Sequence, residues 1–90
     1  MNDLFKALAD PSRRKILKLL KDKNRNAGDI LSHFEMKGSS LNHHLEILKQ
    51  SGLVMSEKKG QNVIYSINTT VFQELIEWVY DIKGAEHETK

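Results

Sequence analysis

The 90-residue sequence contains no cysteine. Disulfide scaffolds, Cys-ligated zinc fingers, thiol sensors and cysteine nucleophiles are thereby excluded. It has a single proline and five glycines, with 39% hydrophobic and 29% charged residues. That is the composition of a folded domain, not of a disordered chain. No apolar run approaches the ~20 residues that a bilayer-crossing helix needs, and the start lacks a secretory pattern. A cytoplasmic protein without membrane insertion is expected. A domain of this size buries only roughly 60–65% of its unfolded surface, which leaves room for one small core and argues against a multi-substrate enzyme. There is no Gly-rich phosphate loop after a strand, no HExxH and no GxSxG. Asp29, Ser32 and His33 fall within one helical turn, but so short a chain offers them little pocket. No catalytic residue is expected.

What is present is an uneven charge. Residues 11–62 hold eleven Lys/Arg against five Asp/Glu, whereas the flanks hold three against seven. A basic centre between acidic ends suits a polyanion, although a solvated Lys-rich surface has the same composition.

Periodicity divides the chain. Leu4, Phe5 and Leu8 predict a short amphipathic helix over Asn2 to Ala9. Asp10 is a good N-cap and Pro11 suits a first helical position. The second helix then runs to about Leu20 or Lys21, with Ile16, Leu17 and Leu20 inward. Residues 22–26 read as a loop. Asn26 can cap a third helix, Ala27 to about Phe34, with Ile30, Leu31 and Phe34 inward. Residues 35–38 read as a turn in which Gly38 is free to take a positive φ. Ser39 caps or begins a fourth helix that stops near Ser51-Gly52. Two β-prone runs follow, Leu53 to Lys58 and Asn62 to Asn68, around a tip at residues 59–61. Asn68 and Thr69 can cap a last helix, Thr70 to about Lys83, which Gly84 ends. The fold class expected is mainly α with a small β-hairpin, a winged helix-turn-helix of order α-α-α-α-β-β-α. Residues 1–84 form one domain and residues 85–90 a frayed tail.

On the fourth helix Leu41, Leu45 and Leu48 lie within about 60° of one another, the stripe of a core. The opposite face presents Ser39, His43, Glu46 and Gln50, flanked by Ser40 and Asn42. An ordinary solvated helix more often carries Lys and Glu at i, i+4. Short hydrogen-bonding side chains near a helix N-terminus suit a major groove, where Asn, Ser and His reach base edges and N–H groups approach phosphate. His44 sits at the edge of the apolar stripe, where a half-buried structural histidine and a phosphate contact are both consistent with its position. Lys58, Lys59 and Gln61 at the hairpin tip suit a neighbouring phosphate backbone, and lysines guarding an edge strand would look the same. Arg13 and Arg14 on the second helix complete the candidate DNA-binding set.

The segment Asp10-Pro11-Ser12-Arg13-Arg14-Lys15-Ile16-Leu17-Lys18-Leu19-Leu20 resembles the D-P-[ST]-R-x-x-I-L-x-x-L signature of ArsR/SmtB-type bacterial repressors. Ala27-Gly28-Asp29-Ile30 resembles their next helix start. Leu41-Asn42-His43-His44-Leu45 with Leu48 resembles their recognition helix, with Asn42 where Ser is usual. Gly52-Leu53-Val54 and the segment Gly60 to Ile67 resemble their wing. The likeness runs from residue 3 to about residue 83. It implies a DNA-binding repressor that pairs through its first and last helices.

The sequence pattern agrees with such pairing. With Phe72 at 0°, the residues Leu75, Ile76, Val79, Tyr80 and Ile82 fall within about 80° on either side, and Val71 and Trp78 extend the arc. An apolar arc of roughly 200° exceeds the ~100° that one core needs. A monomer core capped by this helix is the alternative. Leu4, Phe5, Leu8, Phe72, Leu75, Ile76, Trp78, Val79 and Ile82 are the expected homodimer contacts. Many proteins that it resembles bind metal through Cys on the third helix or through Asp, His, His and Glu on the last. At the latter positions this chain has Thr69, Val71, Ile82 and Ala85. His33, Glu86, His87 and Glu88 are scattered, so no metal and no cofactor are expected. The reading is a homodimeric, metal-independent repressor of a palindromic promoter operator, with autorepression as one form of it and double-stranded DNA as partner. A metal sensor with an unconventional site and a winged-helix protein-interaction module are the alternatives. No motif specifies an inducing protein or ligand.

Overall fold

The computed structural model describes residues 2–84. Its elements are α1 (Asn2–Leu8), α2 (Pro11–Asp22), β1 (Arg25–Asn26), α3 (Ala27–Leu31), α4 (Gly38–Gln50), β2 (Val54–Lys59), β3 (Asn62–Ile67) and α5 (Thr69–Lys83). The local chemistry of the sequence explains most of these boundaries. Asp10 is extended and its carboxylate accepts from the Arg13 N–H at 3.1 Å, with Pro11 at the first helical position. Asn26 accepts from the Asp29 N–H at 2.8 Å to start α3. Asn68 accepts from the N–H groups of Thr70 and Val71 to start α5. After α4 the chain reverses at Gly52, whose φ of 87° only glycine adopts at little cost.

The core is built from the predicted stripes. Ile16, Leu17 and Leu20 of α2, Ile30 of α3 and Leu41, Leu45 and Leu48 of α4 are buried, together with Leu4, Ala7, Leu53 and Val54. Leu31 and Phe34 pack against this cluster half-buried.

Four expectations are corrected. α3 ends at Leu31, not near Phe34, and residues 32–36 are turns and bends. Gly38 is the first residue of α4 rather than a positive-φ turn; the positive φ values belong to Gly52 and Gly60. Lys37, not Ser39, is the N-cap of α4, and it supplies no side-chain bond to the first turn. Finally, residues 25 and 26 are a strand and not part of a loop: Arg25 pairs with Tyr65 and Asn26 with Ile64. The expected hairpin is thus a three-stranded antiparallel sheet of order β1-β3-β2. Arg25 secures the added strand, donating from Nε to the Leu19 carbonyl at 3.0 Å and from Nη1 to Asp29 at 3.0 Å.

α5 meets this core at its start, where Val71 and Phe72 pack against it half-buried, and the rest of the helix carries much exposed apolar surface. None of its 15 residues is buried, and Ile76, Trp78, Val79, Tyr80 and Ile82 are exposed. The Cα radius of gyration is 15.0 Å. A compact chain of this length would have about 12 Å. The surplus reflects an extended shape, 52 Å along its longest axis. No helix among the described residues is long and apolar enough to cross a membrane.

Candidate nucleic-acid interface

The helix-turn-helix is held from beneath by α2. Lys15 Nζ donates to the His33 carbonyl at 2.7 Å and lies 4.6 Å from the centre of the Phe34 ring. One lysine therefore fastens the turn that joins α3 to α4, by a hydrogen bond and a cation–π contact. Leu41, Leu45 and Leu48 then fix which face of α4 points outward, since each is no more than 2% exposed.

On the outer side of α4, Ser39, Ser40, Asn42 and His43 are all exposed, as the sequence pattern predicts. With no side-chain cap at Lys37, the first-turn N–H groups of α4 are left for an anion or water. Glu46 and Gln50 further along the same face bond to each other at 3.4 Å. The exposed polar surface is therefore richest at the N-terminal end of the helix, the end that enters a major groove in a helix-turn-helix.

The wing is a regular hairpin. Lys59 opposes Asn62, which leaves Gly60 and Gln61 as a two-residue loop. Gly60 has φ 63° in the first loop position, the requirement of a type II′ turn. Lys58, Lys59 and Gln61 are exposed around this tip. The hairpin base is closed by the Asn68 N–H donating to the Leu53 carbonyl at 2.9 Å.

The remaining candidates divide. Arg14 is exposed, with Nη1 on the Leu8 carbonyl at 2.7 Å. Arg13 turns inward: its Nε donates to the Ala7 carbonyl at 2.8 Å and Nη2 to the Lys6 carbonyl at 3.1 Å. Its Nη1 lies 3.1 Å from Nδ1 of His44. His44 is half-buried with 17% of its side chain exposed, and Asp10 Oδ2 is 3.9 Å from the same ring nitrogen. Partial burial works against the charged form of Asp10. The Arg13 N–H, the charge of His44 when its ring is protonated, the Arg13 guanidinium and the Ser12 N–H outweigh it, holding the carboxyl below its ordinary value. The sequence pattern makes Arg13 a candidate DNA contact like Arg14; the inward direction of its fork has no sequence signal.

The second candidate surface is apolar. Phe5 of α1 and Trp78 of α5 stack at a tilt, ring centres 5.0 Å apart, and remain 39% and 40% exposed. Ile76 (44%), Val79 (47%) and Ile82 (70%) continue the surface along α5. Leu8, Phe72 and Leu75 are half-buried. Leu4 is corrected: at 7% exposure it belongs to the chain's own core and leaves little for a partner. Such a contiguous apolar face is characteristic of an interaction surface. Among the described residues no group of three or more His, Asp or Glu is placed to hold a metal ion. His87 and its acidic neighbours lie outside the described residues.

Comparison with known proteins agrees with this layout. Residues 10–56 match the family described as bacterial regulatory protein, arsR family. The chain is 52% identical over 79 residues to the transcriptional repressor SdpR of Bacillus subtilis (strain 168), covering 88% of each. Among solved structures, an ArsR-like transcriptional regulator from Rhodococcus sp. RHA1 superimposes with a TM-score of 0.86 at 26% identity. The match covers 98% of this chain and 80% of that one. The homodimeric winged helix-turn-helix DNA-binding domain of Mb0332 from Mycobacterium bovis superimposes with a TM-score of 0.75 at 27% identity. It covers 99% of this chain and 82% of that one.

Proposed function

Because the chain belongs to the ArsR family of bacterial DNA-binding transcriptional regulators, we propose that it is a homodimeric repressor that occupies a palindromic operator without a bound metal. The observation that carries this reading is α4 itself. Its leucine stripe is sealed into the core while Ser39, Ser40, Asn42 and His43 stand exposed at its N-terminal end. Asn pairs bidentately with adenine, Ser donates or accepts, and His bonds to a base edge or a phosphate. Lys58, Lys59, Gln61 and Arg14 supply backbone contacts that give affinity without sequence information.

Pairing follows from the apolar face. Two chains joined through α1 and α5 bury Phe5, Ile76, Trp78, Val79 and Ile82, all exposed in the single chain. The homodimeric state named for the Mycobacterium bovis neighbour supports this arrangement. A two-fold dimer presents two copies of α4, so its operator is an inverted repeat with half-sites about one helical turn, ~34–36 Å, apart. Repression is then competition with polymerase for the promoter. The name of the Bacillus subtilis relative supports that sign of regulation. Metal independence is supported by the absence of cysteine and by Thr69, Val71 and Ile82 on α5, none a useful ligand.

The test is a fluorescence-anisotropy titration of duplex DNA from upstream of the protein's own gene, against a scrambled duplex, with Zn(II) and with EDTA. The reading predicts preferential binding to the upstream duplex, unchanged within about threefold by either addition, because no complete ligand set exists. Equal binding to both duplexes would contradict sequence-specific operator recognition at that site. Zn-dependent release would contradict metal independence.

A further inference from the structure

Three elements meet at one guanidinium. Arg13, in the first turn of α2, reaches back to the carbonyls of Lys6 and Ala7 in the last turn of α1. Carbonyls in the last turn of a helix lack i+4 partners, and here the Lys6 carbonyl also accepts from the Ala9 N–H at 3.2 Å. The third point of its fork meets His44 on α4 at 3.1 Å. A guanidinium only donates hydrogen bonds, so this contact requires His44 Nδ1 to accept, which a neutral ring does with its proton on Nε2. Asp10, whose carboxylate caps α2 through the Arg13 N–H, closes the cluster 3.9 Å from the same Nδ1.

The position of this cluster gives it leverage. The leucine stripe sets which face of α4 points outward, but its apolar contacts have no direction and define the fine rotation and height of the helix less sharply than a hydrogen bond does. A planar fork fixed at two carbonyls sets both the rotation and the height of His44. His43, the exposed candidate base contact, is the neighbouring residue, with ring centres 6.2 Å apart. At the other end, α1 carries Phe5 against Trp78 on the exposed apolar face.

We propose that Arg13 is a positioning residue that aims the reading helix by holding His44, and that it ties the aim of α4 to the seating of α1. It is not a phosphate contact. This inference rests on the DNA-reading function proposed for α4.

The test uses the whole chain and four substitutions. Arg13→Lys keeps the charge but loses the fork, since one ammonium cannot span two carbonyls and an imidazole. Arg13→Gln removes the charge. His44→Leu removes the acceptor, whereas His44→Asn places an amide oxygen near the former Nδ1. Preference for the operator over a scrambled duplex should fall about tenfold or more in Arg13→Lys and His44→Leu, the effect of losing a charge-assisted hydrogen bond. It should be restored in His44→Asn. The salt dependence of Arg13→Gln should keep the parent slope, whereas removal of a phosphate-binding cation flattens it by about 0.9. Full binding by Arg13→Lys, or a flattened slope in Arg13→Gln, overturns the proposal.

A long-range proton–nitrogen spectrum of the parent gives a readout that needs no DNA. The proton of His44 should lie on Nε2 in the parent, and this preference should weaken in Arg13→Lys. A proton on Nδ1 in the parent overturns the staple whatever the DNA result. A parent that shows the expected tautomer but binds no duplex refutes the DNA reading and leaves the Arg13–His44 bond standing.

Discussion

Ile82 is 70% exposed in the single chain, so replacing it takes almost nothing from the monomer. Full burial of an isoleucine is worth about 1.5–3 kcal/mol. The part left for a partner is thus worth about 1–2 kcal/mol per chain, and a two-fold interface counts it twice. Ile82→Lys should therefore weaken dimerisation by about 2–4 kcal/mol, or roughly 30- to 700-fold in the dissociation constant. A lysine at this position stands near the C-terminal end of α5, where a cation is favourable, so the helix itself should persist. Sedimentation equilibrium over a dilution series measures the shift, and circular dichroism at low concentration checks the fold. Gln73→Lys, on the exposed polar side of α5, is the control and should leave the constant unchanged. An Ile82→Lys protein that pairs as tightly as the parent would refute the assignment of this face.

Further outcomes follow from the same geometry. Leu45→Ala, at a site 2% exposed, should cost about 2–5 kcal/mol through the cavity it opens. At about 4–8 °C per kcal/mol in a domain this small, a melting curve will show it, and an unchanged midpoint would mean that α4 is not anchored as described. Operator affinity should fall by orders of magnitude between ~50 and ~200 mM salt, and Lys59→Ala should weaken all duplexes alike while reducing the slope by about 1. A parent slope kept by Lys59→Ala would mean that the wing tip does not touch phosphate. Because the Asp10 carboxyl is held below its ordinary value, its charged form stabilises the fold above that value. The contribution is lost as pH falls through the lowered one. Asp10→Asn keeps an N-cap oxygen, so it should remove this acid-side slope from stability-against-pH measurements without removing α2. An identical acid limb in the variant would show that Asp10 does not contribute through its charge.

The residues that announced themselves in the sequence did so through local chemistry. Asp10-Pro11 marked the start of α2 because a cap acts within one turn. Leu41, Leu45 and Leu48 marked the buried side of α4 because helical spacing alone puts them together. The exposed set on α4 followed by subtraction. β1 was hidden because two residues show no alternation, and its partner strand β3 lies far along the chain. The roles of Arg13 and His44 were hidden for a different reason. Composition records that they are basic, but a fork aimed inward and one aimed at solvent have the same sequence. The amphipathic pattern of α1 offers Leu4 to a partner, but periodicity does not say which apolar residue faces which neighbour, and Leu4 packs in the chain's own core.

The central claim is that the exposed face of α4 reads base sequence. The most direct measurement is a paired titration of parent and His43→Ala with operator and scrambled duplexes at one salt concentration, beside a melting curve for each. His43 is exposed, so the midpoint should stay in place. The preference for the operator should fall by about 1–3 kcal/mol for each base edge that the imidazole no longer reads, while binding to the scrambled duplex stays close to the parent's. Unfolding of His43→Ala, or an operator preference equal to that of the parent, would contradict the claim that His43 belongs to the reading face.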